Sequence, residues 1–352
     1  MPIIQSKPLT TLVAGILAAV GTPQDIADVI AESLVDSSLK GVDSHGVLRV
    51  PQYLDQVKKG WIQPSAKPLV KKQTSNMSSV NGNHGFGIYS LSRAMDIAIQ
   101  KAKANQFAVV GLTESTHTGR IGWFAERAAS QEVITIIAGG GAHGKADHMS
   151  VAPYGGAARV MATNPITLGF PAADCAPVIV DMSTSATAEG KLRFYREIGK
   201  KLPPGWILDK SGQPSSKADD FYDDGMILPF AGHKGYGLGV AVEFLTGILL
   251  GDAHELNWLI LALDIAMFRE KDEYATDAAA FIKTLKETPA ATGFVEVMAP
   301  GEPEARVSAQ RESEGIPLPD TTWQTIKEIA HEVGLSGLNT FLDPTTEPNG
   351  KQ

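Results

Sequence analysis

Apolar residues recur at helical spacing from near the start of the chain. Leu9, Leu12, Val13, Ile16, Leu17 and Val20 share one face, with Thr10 and Thr11 on the other. A second helix is expected from Thr22 as N-cap, with Pro23 at the first helical position, Asp25 in the first turn, and Ile26, Val29, Ile30 and Leu34 as its apolar face. Residues 64–79, rich in lysine, proline and serine, read as a connector. The pattern then alternates between two periods: a helix over 89–105, a β-rich run over 107–112, a helix over 123–129 and a strand over 133–137. Another strand follows at 178–182. Residues 200–229, with Pro203-Pro204-Gly205 and several aspartates, read as a long excursion with little regular structure. Residues 235–250, apolar and glycine-rich around Glu243, read as a buried helix, and 258–267 fits either a strand or a buried helix. A strand is expected at 294–298, an amphipathic closing helix at 321–333, and a disordered tail over 339–352. No internal repeat is visible.

At 352 residues the chain is long enough for two domains. With 43% hydrophobic and 20% charged residues it has an ordinary globular balance. A net charge of -8 and the lack of any basic run argue against a nucleic-acid surface. Cys175 is the only cysteine, which excludes an intrachain disulfide and a cysteine zinc site and suits a reducing cytoplasm. The apolar run 9–20 superficially resembles a signal-peptide core, but an amphipathic helix explains its spacing better. No segment has the roughly 18 apolar residues that span a bilayer.

The densest candidate chemistry is Asp43-Ser44-His45-Gly46-Val47-Leu48-Arg49. Arginine grips a carboxylate bidentately, and histidine exchanges a proton near neutral pH. In a helix, His45 and Arg49 share a face, Ser44 orients the imidazole or bonds the substrate, Asp43 caps the turn, and Pro51 keeps it short. A solvated pair beside a turn is the bland alternative. Ser115-Thr116-His117-Thr118-Gly119-Arg120 follows a strand and precedes a helix, where ligands bind in α/β folds. Ala231-Gly232-His233-Lys234-Gly235 opens the apolar helix and suits a phosphate. Gly139-Gly140-Gly141-Ala142-His143-Gly144 satisfies G-x-G-x-x-G but leads to Pro153 instead of a helix, so a Rossmann site is not expected. His143, Asp147 and His148 lack metal-ligand spacing, and no metal is expected.

Together these segments resemble the malate/L-lactate dehydrogenase family, which also includes sulfolactate and ureidoglycolate dehydrogenases and cyclic-imine carboxylate reductases. The likeness rests on Asp43 to Arg49 with Pro51 and Tyr53, Gly82 to Gly87, His117 with Gly119, and Thr163-Asn164-Pro165. It continues through Asp181-Met182-Ser183-Thr184-Ser185, Gly190-Lys191, Leu202 to Trp206, His233 to Leu238 and Pro300-Gly301-Glu302. Two departures stand out: Ser183 replaces the usual alanine, and residues 252–257 lead quickly into Trp258, shortening a stretch that can wall the substrate pocket.

The resemblance implies an α+β fold, with a helical domain and an α/β domain whose dinucleotide-binding sheet is not of Rossmann type. The helical domain is expected to span 1–72 with parts of 233–290 and 312–338, and the α/β domain 73–232 with parts of 291–311. NAD or NADP is the implied cofactor, a homodimer the implied assembly, and a small carboxylic acid the implied substrate. Ser44, His45, Arg49 and His117 carry the catalytic roles by this likeness. His117, Thr118, Gly119, Arg120, Asn164, Asp181, Met182, Ser183, His233, Lys234 and Gly235 fall where the family meets its cofactor. Hydride transfer at C2 of a 2-hydroxy acid is the expected reaction. The rivals are a cyclic-imine-2-carboxylate reductase, a silent dinucleotide-binding protein and, third, a metal-dependent hydrolase.

Overall fold

The computed structural model describes residues 1–142, 149–172 and 175–335. The loop residues His143, Asp147 and His148, not expected to bind a metal, and the tail 339–352 lie outside these residues.

Helices α1 (Ser6–Ala19) and α2 (Gln24–Leu39) pack through the predicted faces, Leu9, Leu12, Val13, Ile16 and Leu17 against Ile26, Ile30 and Leu34, all essentially free of solvent contact. Helix α2 starts one residue later than expected. Pro23 is its N-cap, and its carbonyl accepts from Ile26 and Ala27, while the buried Thr22 hydroxyl caps nothing.

A seven-stranded sheet forms the centre, in the order β2 (Leu69–Gln73), β3 (Met77–Asn81), β4 (Phe107–Thr113), β11 (Asn257–Asp264), β5 (Val133–Gly140), β6 (Ile166–Phe170), β7 (Val178–Met182). Only β3 and β4 run parallel; every other neighbouring pair is antiparallel. Two expectations change here. The supposed connector 64–79 contains β2 and most of β3; β2 is an exposed edge strand, and its Lys71 and Lys72 suit an edge that must not pair with another chain. The ambiguous run 258–267 is the central strand β11 followed by a 3₁₀ turn. Trp258, Ile260 and Ala262 point to the buried face of β11, under α4 (Gly87–Asn105). One continuous core joins α1, α2, α3 (Val50–Lys58), α4 and α5 (Gly122–Ala129) to this sheet.

The glycines that suggested a dinucleotide loop have a packing role. Gly139 and Gly140 belong to β5, and a Cβ on Gly139 would lie 2.4 Å from the Trp258 ring. The excursion 200–229 has more structure than its composition indicates. The short strands β8 (Ile207–Leu208), β9 (Pro214–Ser215) and β10 (Met226–Ile227), with α7 (Ala218–Tyr222), build a small core with Leu192 of α6 (Glu189–Glu197).

The strand expected at 294–298 does not form; Phe294 and Val295 are 73% and 98% exposed. The expected buried helix is α8 (His233–Glu243) and a π turn over Phe244–Ile248, and its outer side is open: Phe244, Leu245, Ile248 and Leu249 are all exposed. Helices α9 (Lys271–Lys286) and α10 (Glu302–Glu314) bury almost nothing, which hid them from an apolar-periodicity reading. The closing helix α11 (Asp320–Glu332) forms as expected and buries Ile326 and Ala330, and β1 (Ile3–Ile4) pairs with β12 (Ile316–Pro317).

Candidate active site

The segment Asp43 to Arg49 is not one helix. Two 3₁₀ turns, Asp43–His45 and Val47–Arg49, are separated by Gly46 in an extended conformation. The break is forced by close packing: a Cβ on Gly46 would come within 2.1 Å of the Ser38 hydroxyl, which instead accepts from the Val47 N–H. Asp43 does not cap the turn; its carboxylate pairs with Arg311 of α10 at 2.9 Å. Pro51 does not end a helix but sits in the first turn of α3, where its missing N–H costs nothing.

These turns put the Ser44 hydroxyl 2.9 Å from Nδ1 of His45. Arg49 lies alongside and folds back on its own turn, Nε donating to the Ser44 carbonyl and Nη1 to Gln52, both at 2.6 Å. Two of the five N–H donors of the fork are therefore engaged, and one on Nη1 and two on Nη2 remain for a carboxylate.

His117 arrives from the loop after β4. Thr116 anchors this loop, its hydroxyl accepting from Gly87 N–H and donating to the Gly85 carbonyl, both at 2.9 Å. A Cβ on Gly87 would meet the Thr116 carbonyl at 2.0 Å, so the start of α4 can approach only as glycine. The His45 and His117 rings stack with centroids 5.8 Å apart and planes at 22°. Nδ1 of His117 lies 2.8 Å from the buried Tyr53 hydroxyl and accepts from the Gly119 N–H at 3.3 Å. Since a peptide N–H can only donate, neutral His117 carries its proton on Nε2.

Both imidazoles are kept neutral. Burial pushes His45 down to about 4, helped by the Arg49 and Arg120 charges. Burial also holds His117 well below its ordinary value, with Arg49 and His45 adding to it. The Tyr53 hydroxyl is raised by burial and stays protonated.

Glu255, which the sequence reading did not single out, joins this cleft. Burial raises its carboxyl to about 7 despite the opposing influences of Arg49, the His117 backbone and Trp61, and its Oε2 has no hydrogen-bond partner among the described residues. An acid set directly before the apolar run of β11 was the available signal. Tyr53 was visible only as part of the family likeness.

The expected cofactor residues divide into two groups. Arg120 is 5% exposed and bound to Asp36 at 2.9 Å and Glu126 at 2.7 Å; Lys40 bridges the same two acids. Asp181 caps α5, accepting from the Gly122 N–H at 2.8 Å and the Thr167 hydroxyl at 2.6 Å. Thr118 and Gly119 are buried in the His117 loop. Ser183 turns inward to Ser185 at 2.7 Å.

Asn164 is fully buried with a left-handed backbone. Its amide donates to the Gly239 carbonyl and to Glu243, while its Oδ1 has no hydrogen-bond partner among the described residues. His233 and Lys234 are exposed in the first turn of α8, with Gly235 buried beneath them. A dinucleotide fits this second group. An exposed lysine at a helix N-terminus suits a pyrophosphate. Met182 lies at the edge of a cavity of 790 Å³ lined also by Ile179, Phe294 and Met298. None of the cleft residues Ser44, His45, Arg49 and His117 lines this cavity.

Comparison with known proteins identifies the family. A family model described as malate/L-lactate dehydrogenase matches residues 4–327. The malate/(S)-sulfolactate dehydrogenase of Methanothermus fervidus is 33% identical over 347 residues, covering 95% of this chain and 98% of that one. The structure of malate dehydrogenase from Entamoeba histolytica superposes with a TM-score of 0.89 at 26% identity, over 94% of this chain and 98% of the other. The δ1-piperideine-2-carboxylate reductase of Pseudomonas syringae gives 0.83 at 25% identity, over 94% and 100%. The fold is that of oxidoreductases of small carboxylic acids. The chain belongs to the malate/L-lactate dehydrogenase family. It is a dehydrogenase of the 2-hydroxy-acid class, and dehydrogenases of this family use NAD(P). Among the described residues no helix is long and apolar enough to cross a membrane.

Proposed function

We propose that the protein transfers a hydride reversibly between NAD(P) and C2 of a small 2-hydroxy acid of the malate, lactate or sulfolactate kind, with His45 as the proton acceptor and donor. The observation that carries this reading is the neutral His45, braced at Nδ1 by Ser44 and standing beside the Arg49 guanidinium. A dinucleotide bound there would supply the hydride-accepting and hydride-donating chemistry.

The chain's own residues do the rest. During oxidation the Ser44 hydroxyl accepts from Nδ1–H of His45, leaving Nε2 to take the substrate hydroxyl proton. Arg49 holds the substrate carboxylate and fixes which face of C2 is presented. That carboxylate offsets the positive charge which otherwise disfavours protonated His45, so substrate binding makes the proton transfer easier. His117, with its proton on Nε2, serves as a hydrogen-bond donor to a bound oxygen. His233, Lys234, Gly235 and Asn164 are the residues we assign to the cofactor; Arg120 and Asp181 support the site through the packing of α2 and α5.

Glu255 favours a second reading. A buried carboxylate with an unpartnered oxygen suits a protonated cyclic imine, the kind of substrate the Pseudomonas syringae reductase is named for. The test follows NADH and NADPH absorbance with oxaloacetate, pyruvate, sulfopyruvate, and piperideine- and pyrroline-2-carboxylate. Turnover of an oxo acid supports the dehydrogenase reading, and turnover confined to the imines replaces it with the reductase reading.

We also infer a homodimer. Phe244, Leu245, Ile248 and Leu249 form an apolar surface on one short segment, the kind of patch that a monomer rarely leaves open. Light scattering that gives the mass of a single chain would overturn this.

A further inference from the structure

Beside the cleft, three residues from separate segments converge. His84 lies in the turn between β3 and α4, Glu114 directly follows β4, and His254 precedes β11. One potential ligand atom from each lies within 4.8 Å of the other two. Nε2 of His84 is 3.2 Å from the Glu114 carboxylate, and the His84 and His254 rings meet edge to face at 4.4 Å. His254 is in turn stacked on Trp61 at 3.9 Å.

The backbone at this place is unusual. His84 and Glu114 both have left-handed conformations, with φ of 54° and 52°, which residues with a Cβ rarely adopt. They are locked in that state together: the His84 N–H donates to the Glu114 carbonyl at 3.1 Å, and the His84 carbonyl accepts from Gln63 at 2.8 Å. Backbone held away from its ordinary wells, with two imidazoles and a carboxylate gathered at one point, is the pattern of a functional site more than of a loop.

We propose that His84, Glu114 and His254 bind one divalent transition-metal ion of the zinc class. Two imidazole nitrogens and one carboxylate are a donor set for such an ion, with a fourth position left for water; calcium and magnesium prefer oxygen ligands throughout. All three side chains are half-buried, so an ion has a path in from solvent. The ion ties the loop before β11 to the turn before α4 and to the end of β4. Glu255, next in the chain to His254, lies within electrostatic reach of Arg49 and the His117 backbone, so the ion also fixes one wall of the cleft.

The test needs no turnover. Chelator-stripped protein carrying Cys175→Ser is titrated with Zn²⁺ against a chromophoric chelator, and Tm is recorded with and without the ion. One tightly bound equivalent and a raised Tm are expected, since a ligand held by the folded state stabilises it. His84→Asn, which keeps a residue tolerant of the left-handed backbone, and His254→Phe, which keeps the stack on Trp61, are each expected to weaken binding at least tenfold and to abolish the Tm rise. The Tm of the stripped variants, compared with that of the stripped parent, shows whether they fold. Failure of the parent to bind Zn²⁺ overturns the proposal, as does binding that is unchanged in both folded variants, because the ion then sits on other side chains.

Discussion

Two pairs of histidines lie near one cleft and have opposite surroundings. His45 and His117 stack face to face against hydroxyl groups, a peptide N–H and the charges of Arg49 and Arg120, so both are held neutral with defined hydrogen-bonding roles. His84 and His254 meet edge to face against a carboxylate and an indole, with ring nitrogens gathered around a common point. On the proposed readings the same side chain is a proton carrier in one place and a cation ligand in the other, and the neighbours make the difference.

The strongest test of this contrast is His45→Gln. It keeps a polar side chain but cannot take the proton, and kcat is expected to fall by about 10²–10⁴-fold, the usual worth of a positioned acid or base. His84→Asn is expected to cost much less in kcat than this. Comparable losses in the two variants would erase the distinction between the pairs.

Tyr53→Phe probes the tautomer of His117. It removes one of the two donors to Nδ1, worth about 1 kcal/mol, so kcat/KM is expected to fall by about fivefold, with Gly119 still holding the ring. An unchanged kcat/KM would show that Tyr53 only fills space.

The smallest effect concerns stability. His45 titrates at about 4 in the folded chain against an ordinary value of 6.5, so between these two values the unfolded chain binds more protons. Stability therefore falls as pH drops from about 6.5 towards 4, and is independent of this group above that window. Urea midpoints measured across the window should show a shallower decline in His45→Gln than in the parent. Equal slopes would mean that His45 is not held neutral.

Much of the fold was legible because amphipathic helices carry their own period: α1, α2, α4 and α11 follow their apolar faces. Strand β11 was ambiguous because its run Trp-Leu-Ile-Leu-Ala-Leu is apolar at every position and so carries no alternation. Strands β2 and β3 were hidden by lysine and serine, which suit an edge as well as a loop.

Within the site, Ser44, His45 and Arg49 were readable because they adjoin in sequence. The fate of Arg120 and Asp181 depends on Asp36, Glu126, Thr167 and Gly122, partners that no local motif announces. The His84, Glu114 and His254 group is assembled across the sheet order and has no spacing to detect.

The position of β11 also shapes how the chain must be made. Strands β4 and β5 both pair with β11 and not with each other, so each leaves the ribosome with an edge that stays unfilled while residues 141–256 are synthesised. These long-range pairings make sheet closure a late and slow event, during which exposed edges are open to misassociation. A chain cut short before residue 257 lacks the middle of its sheet, and β4, with the His117 loop that follows it, and β5 would have nothing to hold them in register.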